Sequence, residues 1–389
     1  MHSIQTIQEE LQQRGVDAWL FCDHHHRDPI AYRILGLPES LMVTRRWFYL
    51  VPAQGVPVKL VHRIEAFHLD SLPGEKREYA AGSELTAKLA ELLGAVTNLA
   101  MQFSPNNLIF NVSLVDAGTV DLVRSLGKNV VSSADLISKL EAAWTKEQIS
   151  SHFAARASID VITRAAFREI GRRLNSGATT EFEMQQWLLE AFRRDNLVSD
   201  APPLVAVNAN SSNPHYSPTA ERNSPIRRGD FVLLDIWAKK NVPNAVYYDI
   251  SWTGFAGSQV PERVREIFDI VRRARDAGIR KVQQAIAAGE KLAGWEVDKA
   301  SRDVIAGAGY GSFFNNRTGH SIGTEVHGNG ANMDNFEVRD EREVIPNTCF
   351  SIEPGIYLPE FGLRSEINML VRASSAEVTG MIQQEIVLF

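Results

Sequence analysis

Asp235, Asp249, His320, Glu353 and Glu366 follow one another through the C-terminal part of a 389-residue chain. The four acids sit in apolar, strand-like surroundings. Asp235 ends Phe231-Val-Leu-Leu-Asp, and Asp249 follows Tyr247-Tyr248 and precedes Ile-Ser-Trp-Thr. Glu353 lies in Cys349-Phe-Ser-Ile-Glu-Pro-Gly, and Glu366 in Arg364-Ser-Glu-Ile-Asn-Met-Leu-Val. Burying four carboxylates is costly unless positive charge compensates them. Two divalent cations sharing those carboxylates would do so, and such a pair is a hydrolytic device.

The local spacing supports convergence. Asp235 and Asp249 flank a turn-forming stretch, Lys239-Lys-Asn-Val-Pro-Asn244, so a hairpin would return one beside the other. Thr318-Gly-His320-Ser-Ile-Gly-Thr-Glu-Val-His327 supplies two imidazoles, with glycines on both sides of His320 that let backbone approach closely. One imidazole suits a metal, and the other can stay free for proton or oxyanion work. Glu353 precedes Pro354-Gly355, which turns the chain out of its strand, and Glu366 is expected on the returning strand. His215, in Asn213-Pro-His215-Tyr-Ser-Pro, is a further imidazole on a loop. His24-His25-His26 is expected to be a polar loop, because adjacent residues converge poorly on one ion.

These residues must be positioned by elements that the pattern also announces. Up to about residue 140 the chain reads as alternating α and β. A helix marked by Ile4, Ile7 and Leu11 stops at Gly15, and Ala18 to Cys22 is a buried strand. Trp47 to Pro52 and Val56 to Val61 form a hairpin around Gln54-Gly55. Leu108 to Val112 and Val130-Val131 are further strands. Thr145-Lys-Glu-Gln148 is a capping box that opens a long helix, and a second helix runs from Thr180 to Arg194. Strand-like segments follow at Pro203 to Val207, Phe231 to Trp237 and Val246 to Phe255. The plan then repeats, with a long helix from Pro261, a short one over Glu296 to Ile305, and strands at Thr348 to Ile352, Glu366 to Val371 and Ile382 to Leu388. Two helix–helix–strand halves in tandem suggest an internal duplication with a site between them.

Composition bounds the function. The apolar and charged contents, 44% and 23%, are those of an ordinary globular protein. A net charge of −6 gives no support for nucleic-acid binding. No apolar stretch reaches the ~20 residues of a membrane span. The N-terminus lacks a signal-peptide plan, and two cysteines imply no disulfide framework, so a cytoplasmic location is expected.

Together these motifs resemble the pita-bread metallopeptidases (peptidase family M24), which include methionine aminopeptidase, aminopeptidase P and prolidase. The resemblance rests on Leu233-Leu-Asp-Ile, Asp249-Ile-Ser-Trp-Thr, Gly319-His-Ser-Ile-Gly-Thr-Glu-Val-His, Ser351-Ile-Glu-Pro-Gly-Ile-Tyr and Gly362-Leu-Arg-Ser-Glu. Gly15-Val-Asp-Ala-Trp-Leu and Tyr32-Arg-Ile-Leu-Gly are similar to the creatinase-type domain of prolidases. The implied fold is α/β in two domains, a creatinase-like α/β domain over 1–142 and a duplicated α+β pita-bread catalytic domain over 143–389. Asp235, Asp249, His320, Glu353 and Glu366 would hold two divalent ions, manganese foremost, with cobalt or zinc as alternatives. His215, His327 and Glu353 would serve catalysis. Arg339 would bind the substrate carboxylate, and Arg364, counted with the substrate-binding residues, would orient Glu366. The implied substrate is an Xaa-Pro dipeptide, or longer Xaa-Pro peptides in the aminopeptidase P manner, and the implied assembly is a homodimer. The alternatives are another chemistry on the same site or a non-catalytic binding role. Two departures stand out. The aspartates are 14 residues apart where the family usually has 11, and Val246 and Trp252 replace the family's tyrosine and arginine around the second aspartate.

Overall fold

The computed structural model describes residues 3–389. The chain divides into two compact units, Met1–Glu141 and Ala142–Phe389.

In the first unit the opening helix spans Ile4–Arg14 and ends where Gly15 takes a left-handed conformation (φ 64°). A six-stranded sheet runs in the order Glu75–Tyr79, Val58–His62, Trp47–Pro52, Ala18–Asp23, Asn98–Met101, Asn129–Ser132. All six residues of Ala18–Asp23 are buried, because both faces of the sheet are covered. Trp19, Phe21 and Tyr49 pack on one side, and Leu20, Phe48 and Leu60 on the other. The expected strand at Leu108–Val112 is instead a pair of short 3-10 turns, Pro105–Asn107 and Phe110–Val112. Ser104 and left-handed Asn106 and Asn107 turn the backbone there, so an apolar run without a sheet partner does not extend. His24-His25-His26 is a loop, with His25 and His26 at positive φ.

The second unit carries two helix pairs of matching length. Lys146–Ser176 (31 residues) precedes Glu181–Arg194 (14), and Glu262–Ala288 (27) precedes Gly294–Gly307 (14). Thr145 and Gln148 form the expected capping box, and Thr180 and Glu183 form a second. Phe231–Lys240 and Tyr248–Phe255 are an antiparallel hairpin, extended by Leu204–Val207 and Leu197–Val198 on one side and Val387–Leu388 on the other. The last strand covers only those two residues of the expected Ile382–Leu388 run. Tyr248, Ile250 and the half-buried Trp252 pack with Ile159, Phe167 and Leu188 of the first helix pair. A second sheet orders Ser321–Ile322, Cys349–Ile352, Ile367–Val371 and Ala376–Val378. Asn368 staples the two sheets together. Its Oδ1 accepts the Asp249 N–H at 2.9 Å, and its Nδ2 donates to the Asp249 carbonyl at 2.6 Å.

Candidate metal centre

The hairpin register decides which side chains meet. Asp235 lies opposite Ser251, and Trp237 opposite Asp249, so all four share one face. The other face, with Tyr248, Ile250 and Trp252, belongs to the helix-packed core. Replacement of the family's arginine by Trp252 therefore falls away from Asp249 and Ser251. The longer hairpin is taken up in its turn, where Asn244 is left-handed (φ 58°).

The second sheet brings the remaining groups. Ser351 N–H donates to the His320 carbonyl at 2.9 Å, and Ser351 Oγ accepts the His320 N–H at 3.0 Å. The backbones come so close at Gly319 that a Cβ there would lie 1.9 Å from the Ser351 carbonyl oxygen. Gly319 thus has the close-approach role expected of it. Gly323 has ordinary space around it. Glu366 sits just ahead of Ile367–Val371, its N–H directed at the Ser251 carbonyl, 3.3 Å away.

Asp249, His320 and Glu366 are buried and each offers a ligand atom, all within 4.8 Å of one another. His320 Nε2 is 3.5 Å from Asp249 and 3.3 Å from Glu353 Oε1. Its Nδ1 lies 3.1 Å from the Ser321 carbonyl, which can only accept, so Nδ1 carries the proton. A neutral ring then turns a lone pair on Nε2 toward two carboxylates. Ser251 Oγ repeats the pattern, 2.8 Å from both Asp235 Oδ1 and Glu366 Oε2, with one hydrogen to share. Glu366 Oε1 is buried without a hydrogen bond. Burial, then the charges of Asp235 and Glu353, push the Asp249 carboxyl far above the usual range. Burial, then Asp249 and Glu353, do the same to Glu366. Burial lowers His320. Acceptor facing acceptor in a dry site is the arrangement a cation resolves, and carboxylate–imidazole donors suit a divalent first-row metal.

Arg364 sits among these acids. It donates from Nη2 to Asp235 and from Nε to Ser251 Oγ at 2.8 Å, and its Nε is 3.8 Å from Glu353. Arg364 bonds Asp235 directly, and it acts on Glu366 through Ser251 and by its charge. One expectation of Arg364 is corrected here. Its side chain is buried with these donors committed, which leaves it an internal counter-charge and not a substrate contact. Glu353 Oε1 accepts from Ser351 Oγ at 2.9 Å.

The remaining expected residues are spread wider. His327 stacks edge-on to His320, ring centroids 4.4 Å apart. The neighbouring His320, then burial, lower its pKa. His215 is exposed on the loop after Asn208–Ser212. Arg339 is half-exposed at the surface, paired with Glu341 at 3.1 Å and stacked 3.8 Å above the Trp295 ring. Those contacts engage Arg339, the residue expected to bind the substrate carboxylate, with Trp295 and Glu341. Arg317 went unnoticed in the sequence. It lies three residues before His320, is half-buried, and its charge is felt at both His320 and His327. It has no ion pair among the described residues, and its place beside the Gly-His motif was the available signal. Arg275 is another. Fully buried, it bonds Ser365 Oγ at 2.8 Å and the Gln383 carbonyl at 2.7 Å, fixing the backbone beside Glu366.

Carboxylates and an imidazole on facing strands of an α+β unit with two matching helix pairs form a site suited to divalent metal, in the manner of the pita-bread class. Residues 157–373 match the family model described as Metallopeptidase family M24. The chain belongs to that family. It is 29% identical over 230 residues to a putative Xaa-Pro aminopeptidase of Mycoplasma pneumoniae, a match covering 58% of this chain and 60% of that protein. It is also 29% identical over 256 residues to an Xaa-Pro dipeptidase of Pyrococcus furiosus, covering 65% and 67%. The crystal structure of dipeptidase PepE from Mycobacterium ulcerans superposes with a TM-score of 0.74 at 22% identity, over 99% of this chain and 96% of that one. The match spans about three fifths of the first relative's length. No helix among the described residues is long and apolar enough to cross a membrane.

Proposed function

We propose that this protein hydrolyses the peptide bond preceding proline, favouring Xaa-Pro dipeptides, with two divalent ions held by Asp235, Asp249, His320, Glu353 and Glu366. The observation that carries the reading is the buried, donor-poor group Asp249–His320–Glu366. The names of the relatives supply the substrate class. The native metal is taken as manganese, and the working state as a cytoplasmic homodimer.

Divalent ions in such a site lower the pKa of a water and polarise a carbonyl. The chain's own groups do the rest. Glu353 is the proton carrier, with Oε1 steadied by Ser351 and Oε2 facing Arg364. The neighbouring His320 and burial both lower the His327 pKa, which favours the neutral ring. His327 therefore stabilises the carbonyl oxygen's developing charge as a neutral N–H donor. His215 on its exposed loop is assigned to the substrate-lining wall. For the carboxylate of a C-terminal proline there are two candidate cations, Arg339 and Arg317. Arg317 is favoured, since it lacks an ion pair among the described residues and its charge reaches both histidines.

The test is hydrolysis of an Xaa-Pro dipeptide and an Xaa-Pro tripeptide, with and without manganese. The expected outcome is manganese-dependent cleavage with the dipeptide preferred. Replacing the carboxylate-binding arginine by Ala should raise the dipeptide KM on the order of 30-fold or more, the effect of losing a charge-assisted bond of ~2–5 kcal/mol. The expectation is Arg317→Ala strong and Arg339→Ala weak. Better cleavage of tripeptides, with both variants neutral, would make the activity that of an aminopeptidase P.

A further inference from the structure

One charged group at this site has no part in holding ions. Asp200 follows the short strand Leu197–Val198, which pairs with Lys239–Lys240 of the hairpin. Trp237 stands opposite Asp249 in that hairpin, and its indole N–H donates to Asp200 Oδ1 at 2.8 Å. Ser199 Oγ is 3.4 Å from the same oxygen. The Tyr247 hydroxyl lies against the Asp200 backbone, and the Asp200 charge is felt at Asp249, Tyr247 and His327. Asp200 is exposed, and its Oδ2 accepts no hydrogen bond among the described residues. A neutral donor thus holds a carboxylate at the rim of the site with one oxygen open.

Charged neighbours stand near it. Lys239 donates to the Thr324 carbonyl at 2.5 Å and sits 5.0 Å above the Tyr247 ring. Both Glu325 and Asp200 act on it. Arg317 acts on the two histidines. The Asp200 and Arg317 charges both act on His327, with opposite sign.

Resting on the peptidase reading above, we propose that Asp200 selects a cationic side chain on the residue N-terminal to the cleaved bond, so that Lys-Pro and Arg-Pro are favoured over neutral peptides of the same size. A fixed exposed carboxylate attracts a cationic side chain through water-screened charge. Such a pair is worth at most about 1 kcal/mol, or roughly fivefold.

The test compares Lys-Pro with norleucine-Pro, which share chain length and differ in charge. Wild type should favour Lys-Pro roughly fivefold in kcat/KM at low salt, with the preference shrinking as ionic strength rises. Asp200→Asn keeps an oxygen to accept from Trp237. It should bring the two substrates within about twofold, with norleucine-Pro turnover unchanged. Calorimetric titration with lysinamide and norleucinamide reads the same discrimination without turnover. Absence of any Xaa-Pro hydrolysis would then overturn the peptidase reading alone, while the amides still decide the role of Asp200. Equal handling of the two ligands by wild type, or a preference that survives in Asp200→Asn, overturns the proposal. So does an equal loss for both ligands, which would assign Asp200 to the α-ammonium group.

Discussion

Both units of this protein bury glutamates, and the candidate metal site treats its own in the opposite way from Glu65 of the N-terminal unit. In the N-terminal unit Glu65 accepts the backbone N–H of Thr44 and of Arg45, each at 3.0 Å, plus the Thr44 hydroxyl. Burial would push its pKa up, but those donors bring it below the ordinary value. Asp23 in the same unit accepts three backbone N–H groups, from His26, Arg27 and Asp28, and the Tyr32 hydroxyl at 2.8 Å. In the C-terminal unit Glu366 is equally buried, yet one oxygen has no partner and the other shares a single hydroxyl with Asp235. Its nearby charges are mostly negative, and its pKa rises. A buried acid ringed by N–H groups is a structural anion, finished by its own backbone. A buried acid ringed by acids is unfinished, and a cation completes it.

The largest expected effect is at the unfinished end. Glu366→Gln should drop hydrolysis to background and remove at least one of about two ions per chain, read by metal analysis. The same change should raise the stability of the metal-free protein by about 1–3 kcal/mol, because it relieves a buried, unpaired, repelled group. A metal-free variant less stable than wild type, in denaturant titration, would erase the distinction between the two kinds of acid. Next in size, Glu65→Gln should cost about 2–3 kcal/mol with or without metal, since an amide cannot serve all of those donors. The gain in melting temperature on adding manganese should be unchanged. Loss of that gain would mean that the two units are not separable in this way.

The smallest effect concerns pH and sharpens the picture of a finished buried group. His152 is fully buried, with Nδ1 2.7 Å from the Tyr247 carbonyl and Nε2 2.7 Å from Thr379 Oγ1. Burial lowers its pKa from 6.5 to about 4. The folded state stays neutral where the unfolded chain takes a proton. Its contribution is thus complete above pH 6.5 and is lost as pH falls toward 4, at about 1.4 kcal/mol per pH unit. Urea midpoints measured across that window should fall in wild type and flatten in His152→Gln. A variant that loses stability as steeply as wild type would assign the pH dependence to other groups.

Much of the catalytic unit was legible in the residues. The capping box at Thr145, the helix over Glu181–Arg194 and the hairpin carrying Asp235 and Asp249 all follow from local pattern, because helix ends and turns are made by neighbours in sequence. The glycine before His320 announced a close backbone approach, and the structure supplies the Ser351 carbonyl it makes room for. The run Leu108–Val112 misled, because an apolar stretch becomes a strand only where a sheet edge is available.

What the chain determined alone was its chemistry: which residue types could hold ions, in which order, and on which kinds of element. Only the tertiary structure decided their partners. That Arg364 neutralises Asp235 and that Trp237 holds Asp200 are contacts between positions far apart in sequence. Spacing along a strand fixes the face on which a side chain stands. The sign and distance of what it meets there depend on how separate strands are brought together, and the electrostatics of a buried site are set by those distances.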